Sequence, residues 1–185
     1  MFISWLTIFL NHGVNVKAQA GFIRRFALAL SLTALGVAIA PLYIPIPPTK
    51  AFPGQHFINV IAGVMLGPIW ATFVAILISI IRVSLGIGTI YAFPGSIPGA
   101  LLVGLTAYIL RKNGRSPEYA AFVEPIGTAI IGFLLALYLF APLVGDVAKW
   151  QAALTIIWLG WLFSTGIGTL IGFAALKAIK SAGYL

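Results

Sequence analysis

The chain has 185 residues, of which 61% are hydrophobic and 8% are charged, and its mean hydropathy is +1.09. Soluble domains carry about 25% charged residues, so this composition excludes a soluble protein and predicts an integral membrane protein. At roughly 20 apolar residues per span, the length allows about six spans and no soluble catalytic or nucleotide-binding domain. Cysteine is absent, which excludes disulfides, thiolate catalysis and thiolate metal sites.

In chain order, the sequence first presents a short apolar run within residues 1–21. It lacks the basic leading region and cleavage site of a signal peptide, so we interpret it as an interfacial segment. Residues 22–185 are predicted to form one substrate-binding membrane domain. The fold expected is all-α, a compact bundle of six transmembrane helices. The apolar runs are 26–44, 57–66, 69–85, 97–110, 119–141 and 151–176.

The second and fourth runs are too short to cross a hydrocarbon core of about 30 Å. Irregular backbone at that depth needs protein or a water-filled cavity around it. The loops that flank these two runs are therefore expected to lie beside a pocket.

Lysine and arginine set the expected orientation, because short cytoplasmic loops carry an excess of both. If the N-terminus is cytoplasmic and six spans follow, eight of the 11 basic residues fall inside and three outside. Both termini are then cytoplasmic. The inner residues are Lys17, Arg24, Arg25, Arg111, Lys112, Arg115, Lys177 and Lys180, and the outer ones are Lys50, Arg82 and Lys149.

The tetrapeptide Ala-Phe-Pro-Gly occurs at residues 51–54 and again at 92–95, in loops that this orientation places outside. Uncharged polar residues gather beside both copies, and Phe93 is held rigid by the proline that follows it. We predict a pocket for a small neutral ligand here. The alternative is that these polar groups only cap a helix or meet headgroup water. The residues concerned are Gln55, His56, Asn59, Tyr91 and Ser96.

Three residues farther inside the predicted spans complete the predicted ligand-binding set. Arg82 is the only charged residue well inside a span; it either snorkels outward or forms a structural pair, or it contacts the ligand. Trp158, with Thr155 one turn before it, lies deep enough to stack on a flat heterocycle, although a lipid-facing position is the alternative. Trp150 is explained by an interfacial aromatic belt.

Catalysis and metal binding are not expected. A lone histidine without a second histidine or carboxylate at ligand spacing is poor evidence for a metal site. Glu118 and Glu124 are six residues apart and do not share a helical face, so they form no acid–base pair. Glu124 is assigned to the start of the fifth span or to a cytoplasmic partner. We predict a protein that is not an enzyme and uses no cofactor.

Small residues recur at four-residue spacing in three spans, and this lets helices approach closely. In the fifth span they are Thr128, Gly132 and Ala136, for which internal packing is predicted. In the last span, the ridge formed by Gly160, Ser164, Gly168 and Gly172 predicts internal packing. In the first span, the small residues allow either internal packing or docking of another membrane subunit. These residues are Ala27, Ser31, Ala34 and Ala38.

The string Pro-Gly-Gln-His-Phe-Ile-Asn, which starts at Pro53, together with the second Phe-Pro-Gly and the alanine spacing of the first span, resembles a known family. The sequence is similar, over residues 22–180, to the substrate-binding S components of energy-coupling-factor (ECF) vitamin transporters, in the ThiW branch. The resemblance implies a multi-pass subunit of a prokaryotic plasma membrane that captures a thiamine precursor, hydroxyethylthiazole. It also implies docking, through Ala34 and Ala38 and through Ala27 and Ser31, onto a transmembrane T component driven by two cytoplasmic ATPases.

Several alternatives remain. In the first alternative, the chain is an S component that binds the pyrimidine precursor or another vitamin. A self-sufficient facilitator would transport without ATPases. A membrane assembly factor would bind no thiamine-related compound.

Overall fold

The computed structural model describes residues 16–183, and helices dominate it. The helices are α1 (Val16–Ile39), α2 (Pro53–Leu66), α3 (Pro68–Ser84), α4 (Ile97–Lys112), α5 (Pro117–Leu143) and α6 (Val147–Ser181). Two short strands, β1 (Ile44–Ile46) and β2 (Thr49–Ala51), and a 3₁₀ turn (Ile90–Ala92) complete the described elements.

Four stretches of the described chain are long and apolar enough to cross a membrane, which confirms the prediction of a helical membrane protein. Helix α3 is apolar but has 17 residues, and α2 has 14, a length of about 21 Å. Six full spans are thus not established, and the cytoplasmic position of both termini stays a prediction. The four stretches are Gln19–Ile39, Ile90–Lys112, Pro117–Leu143 and Leu154–Ser181.

The predicted interfacial segment, residues 1–21, lies mainly outside the described part of the chain. Its residues 16–21 belong to α1, which begins at Val16. The division predicted after residue 21 stays a prediction.

A small β-hairpin between α1 and α2 departs from the expected all-α fold. Its strands are antiparallel, with Ile44 opposite Ala51 and Ile46 opposite Thr49. The prolines in and after β1 lack a backbone N–H and cannot continue a helix, so the chain stays extended and pairs with itself. The hairpin brings Thr49 and Lys50 to the mouth of the cavity described below.

Helix α2 is the central helix of the bundle. It packs against all five other helices, and 11 of its 14 residues are buried. Gly168 of α6 lies against the Pro53 carbonyl and the β-carbon of His56, and Gly172 lies against Val60. The ridge predicted in the last span therefore packs internally, and this packing allows a short helix to carry polar side chains at depth.

Helix α5 has irregular winding. It is a 3₁₀ helix over Pro117–Val123 and a wider π helix over Ile126–Gly132, directly after Pro125. Proline removes one backbone donor and crowds the preceding turn, which accounts for a change of winding at this point. Gly132 lies against the Pro94 carbonyl, so α5 approaches the second Ala-Phe-Pro-Gly loop closely.

Helix α6 is interrupted near its start. Ala153 has non-helical backbone angles, with φ −125° and ψ 21°. Trp150 lies before this kink, and Ile157 and Trp161 lie after it, yet all three line the same cavity. Spacings of seven and four residues place these three side chains on one helical face, and the kink does not remove Trp150 from it.

The small residues predicted on the first span lie on the surface of α1. Ala29, Leu32 and Gly36 form its inward face and are buried. The stripe that faces away from the bundle is exposed and consists of Ala27, Ser31, Ala34 and Ala38. It does not take part in internal packing.

Candidate functional site

A cavity of about 200 Å³ lies where the β2–α2 junction, the loop after α3 and the first half of α6 meet. Both Ala-Phe-Pro-Gly copies contribute to it, through Phe52 of the first and Ala92 and Gly95 of the second. The backbone N–H of Phe52 donates to Ser164 Oγ at 2.7 Å, which ties the first copy to α6. The repeated tetrapeptide thus forms two sides of one site.

Below the cavity, the buried carboxylate of Glu124 is the centre of a polar network. Its Oε1 lies 2.8 Å from His56 Nδ1 and accepts hydrogen bonds from Asn59 Nδ2 at 3.1 Å and Thr128 Oγ1 at 2.9 Å. Glu124 is 0% exposed. Three donors on Oε1 offset part of the cost of burying the charge and join α2 to α5, whereas Oε2 is buried without a hydrogen-bond partner among residues 16–183.

Asn59 and Ser96 extend this network to the start of α4. Asn59 Nδ2 also donates to the Ser96 carbonyl at 3.2 Å, and Ser96 Oγ donates to Asn59 Oδ1 at 3.0 Å. Both ends of the Asn59 amide are therefore used inside the protein. These two buried residues position their neighbours and do not line the cavity.

The ring of His56 lines the cavity and has one nitrogen engaged. A carboxylate only accepts hydrogen bonds, so we assign the proton on Nδ1 from its contact with Glu124. In the neutral ring, Nε2 is then an acceptor on the opposite edge. His56 therefore presents an acceptor to a hydroxyl or N–H of a ligand.

Aromatic side chains form one wall of the cavity. The ring centroids of Tyr91 and Trp150 lie 4.9 Å apart, and those of Trp150 and Trp161 lie 6.1 Å apart, with Phe133 behind both tryptophans. The Tyr91 hydroxyl donates to Asp146 Oδ2 at 2.8 Å, which holds the loop against the start of α6. This wall suits a flat, apolar ring.

Arg82 forms part of another wall. Its side chain is buried at 2% exposure, so it does not snorkel to the surface. The guanidinium carbon lies 3.8 Å from the centroid of the Phe52 ring. Within residues 16–183, Arg82 Nε and Nη1 have no hydrogen-bond partner, and the same holds for Gln55 Nε2. Both side chains line the cavity, and these unpaired nitrogens are themselves buried.

The structure brings four of the predicted ligand-binding residues to the cavity and leaves five outside its lining. Gln55, His56, Arg82 and Tyr91 line it. Those outside the lining are Asn59, Ser96, Phe93, Thr155 and Trp158.

Trp158 lies on a different side of α6 from the cavity. Its Nε1 donates to the Ala129 carbonyl of α5 at 3.0 Å. Each helical residue turns the side chain by about 100°, so Trp158 leaves the face that Ile157 and Trp161 share. Trp161 therefore lines the cavity, and Trp158 does not.

Sequence reasoning missed four residues of the site. Glu124 was assigned to the helix start or to a cytoplasmic partner, yet with Thr128 it lies in the buried network. A spacing of four places Glu124 and Thr128 on one helical face, and that pattern was the available signal. Trp150 was assigned to an interfacial belt and Trp161 was given no role. The spacing of Trp150, Ile157 and Trp161 places all three within about 40° on a helical wheel, and that pattern was the available signal.

The donor set around the cavity suits an organic ligand. Among residues 16–183, no group of three His, Cys, Asp or Glu side chains is arranged to hold a metal ion. An amide, an imidazole edge and a guanidinium beside aromatic rings provide orientation and stacking instead.

Helices long and apolar enough to span a membrane surround a small cavity with an aromatic wall. This arrangement is typical of a membrane protein that binds a small molecule. The sequence model of a family described as thiamine-precursor transporter protein (ThiW) matches residues 26–182. The chain belongs to the ThiW family. The match extends over all six helices, and it confirms the resemblance seen in the string that starts at Pro53. ThiW membership makes this a transporter protein of the membrane, and no match was found among curated proteins or solved structures.

Proposed function

We propose that this ThiW chain is the S component of an energy-coupling-factor importer and captures hydroxyethylthiazole at the extracellular face. The supporting observation is the family match over residues 26–182, which includes every helix around the cavity. The cavity has an aromatic wall and a few placed polar groups, the usual form of a small-molecule site. This proposal requires no catalytic chemistry from the chain.

In this proposal the thiazole ring stacks against Trp150 and Trp161, which lie on one wall of the cavity. His56 Nε2 accepts a hydrogen bond from the ligand, and Gln55, which also lines the cavity, makes the second polar contact. Asn59 acts indirectly, because its amide is saturated by Glu124 and Ser96. Shape and these two polar contacts set specificity.

The distribution of basic residues supports an outward-facing cavity. Gln55 and His56 start α2, and Arg82 ends α3, so the cavity lies at one end of the bundle. At the opposite end, Lys177 and Lys180 meet Glu118 at 3.2 Å and 2.8 Å. Lys and Arg are enriched on the cytoplasmic side, so the end remote from the cavity is proposed to face the cytoplasm of a prokaryotic cell.

The exposed stripe of α1 is the proposed surface for the T component. Small side chains let a second helix approach closely within a bilayer, and the stripe faces away from the bundle. Two cytoplasmic ATPases bound to the T component would supply the energy. The stripe residues are Ala27, Ser31, Ala34 and Ala38.

The proposal is tested by titrating the purified protein with hydroxyethylthiazole and, separately, with the hydroxymethylpyrimidine precursor. Trp150 and Trp161 line the cavity, so their fluorescence reports binding directly. We expect saturable quenching by the thiazole and none by the pyrimidine. Binding of the pyrimidine alone would make the chain an S component for the other half of thiamine.

Energy coupling needs a separate measurement. The protein is reconstituted in liposomes with and without the T component and ATPases, and uptake of labelled thiazole is followed. We expect uptake only with the complete module and ATP. Uptake by the chain alone would instead identify a self-sufficient facilitator.

A further inference from the structure

Arg82 has a buried positive charge without a counter-charge among residues 16–183. The sequence contains three acidic side chains, and the structure describes all of them. Each contacts other groups, and Arg82 has no carboxylate within 4.0 Å among the described residues. The contacts are Glu118 with Lys177 and Lys180, Glu124 with His56, and Asp146 with Lys149 and Tyr91.

The lack of a nearby carboxylate is unusual because Arg82 is buried. Its side chain is 2% exposed, and Nε and Nη1 have no hydrogen-bond partner within residues 16–183. The Phe52 ring, 3.8 Å from the guanidinium carbon, provides a cation–π contact but accepts no conventional hydrogen bond. A buried charge normally has a partner of opposite sign, because desolvation is otherwise uncompensated.

The lining of the cavity is also electropositive. It contains Lys50, Arg82 and Lys149, and no aspartate or glutamate. Lys149 lies 3.9 Å from Asp146, and Lys50 lies over the Tyr43 ring at 4.3 Å. Both lysines are exposed, so solvent screens them, whereas Arg82 is not screened. A cationic cleft with low-dielectric walls attracts an anion.

We propose that the ligand carries an oxyanion that binds against the Arg82 guanidinium, and that the preferred ligand is the phosphate monoester of the thiazole alcohol. This inference rests on the proposed function and changes the class of the substrate from neutral to anionic. The ring stacks on the tryptophan wall, and the hydroxyethyl arm carries its phosphate toward Arg82. A guanidinium suits this group because its planar donors match phosphate oxygens.

A lipid phosphate is the other source of the same chemistry. Arg82 is too buried to meet the headgroup layer directly, which favours the transported ligand. The experiment must nevertheless separate these sources.

Binding of hydroxyethylthiazole and of its monophosphate is measured on purified, delipidated protein in phosphate-free, non-ionic detergent. We expect the wild type to prefer the phosphate ester by about tenfold or more, as for a charge-assisted contact. Arg82→Gln should abolish that preference, measured as the ratio of the affinities for the ester and the alcohol in the same variant. A wild type that binds the alcohol as tightly as the ester, or a preference that survives in Arg82→Gln, would overturn the inference and leave the proposed function intact.

Lys149→Gln is the matched control, because Lys149 lines the same cavity but already has Asp146 nearby. It should retain most of the preference for the ester. If Arg82→Gln does not fold, Arg82→Lys replaces it and should retain only part of the preference, because ammonium keeps the charge but loses the planar donors. An unchanged preference in Arg82→Lys together with its loss in Lys149→Gln would assign the anion to Lys149 and overturn the inference.

Two further measurements separate the remaining possibilities. Vesicles of phosphatidylcholine and of phosphatidylglycerol should give the same preference for the ester; its disappearance in the anionic vesicles would mean that lipid phosphate fills the site. If neither thiazole compound binds, the proposed substrate is wrong, and inorganic phosphate tests the anion site alone. Thermal stabilisation by phosphate in the wild type and not in Arg82→Gln supports the anion site, and no stabilisation in the wild type overturns it.

Discussion

His56 Nδ1 lies 2.8 Å from Glu124 Oε1, and this contact joins the start of α2 to the irregular helix α5. The two residues are 68 positions apart in sequence, and both are buried. The contact fixes the ring of His56 so that its other edge faces the cavity. The packing of α2 against α5 and the proposed ligand recognition therefore depend on the same carboxylate.

Replacing Glu124 by glutamine should lower both stability and ligand affinity. The amide removes the charge that His56, Asn59 and Thr128 share, at a cost of roughly 1–3 kcal/mol in unfolding free energy. Thermal unfolding and thiazole titration measure the two effects. Glu118→Gln is the control: it loses contacts to Lys177 and Lys180 at the other end of the bundle, so stability should fall while affinity stays unchanged. Equal affinity losses in both variants would contradict this assignment.

Replacing His56 and Asn59 by alanine should have different consequences. His56→Ala removes a cavity acceptor, so ligand affinity should fall by about tenfold while the protein still folds. Asn59→Ala leaves the partners of a saturated amide unpaired, so its main effect should be on the unfolding temperature. Binding to each variant is measured below its unfolding transition. Wild-type affinity in His56→Ala would remove this residue from the site.

Gly168→Ala in α6 should displace His56 of α2 and so distort the site. A β-carbon there would meet the Pro53 carbonyl and lie 2.5 Å from the β-carbon of His56. Overpacking of this kind costs about 1–3 kcal/mol, and the displaced His56 should bind ligand more weakly. Gly166→Ala is the matched control in the same helix, because nothing lies within 4 Å of its β-carbon. A neutral Gly168→Ala in both stability and binding would show that α2 and α6 are not packed this closely.

Trp161 should contribute more to ligand binding than Trp158. Trp161→Ala removes part of the aromatic wall and should reduce affinity by about tenfold, the scale of one lost stacking contact. Trp158→Phe loses only its hydrogen bond to the Ala129 carbonyl and should bind normally. Fluorescence titration of both variants makes the comparison. The opposite order would restore the stacking role that the sequence suggested for Trp158.

A bulky residue on the exposed stripe of α1 should block assembly with the T component. Ala34→Trp or Ala38→Trp prevents close helix approach, so co-purification should be lost while thiazole binding persists. Leu134→Trp is the control, because Leu134 is 48% exposed on α5. Retained co-purification in both stripe variants would remove the T component from this surface. Loss of ligand binding together with co-purification would indicate misfolding and exclude a local docking effect.

The sequence alone determined the class of protein, because the hydrophobic effect and the bilayer act on composition and run length. It also identified the loops around the site. Proline and glycine interrupt helices through local effects that do not depend on how the helices pack. The two copies of Ala-Phe-Pro-Gly therefore indicate two helix breaks in the sequence itself. The string Pro-Gly-Gln-His-Phe-Ile-Asn, which starts at Pro53, indicated the family.

Only the tertiary structure decided which side chains meet. Glu124 lies 68 residues from His56, and no local pattern records a contact made by packing α2 against α5. Trp150 and Trp161 share a face of an ideal helix, because 11 residues make about three turns, but only the packed bundle shows that this face lines the cavity. The environment of Arg82 depends most clearly on the tertiary structure. Its position in the sequence allowed the side chain to snorkel outward. In the bundle it is instead buried against the Phe52 ring, with no carboxylate beside it among the described residues. Burial and pairing are properties of several helices together, so they are decided only when the bundle is assembled.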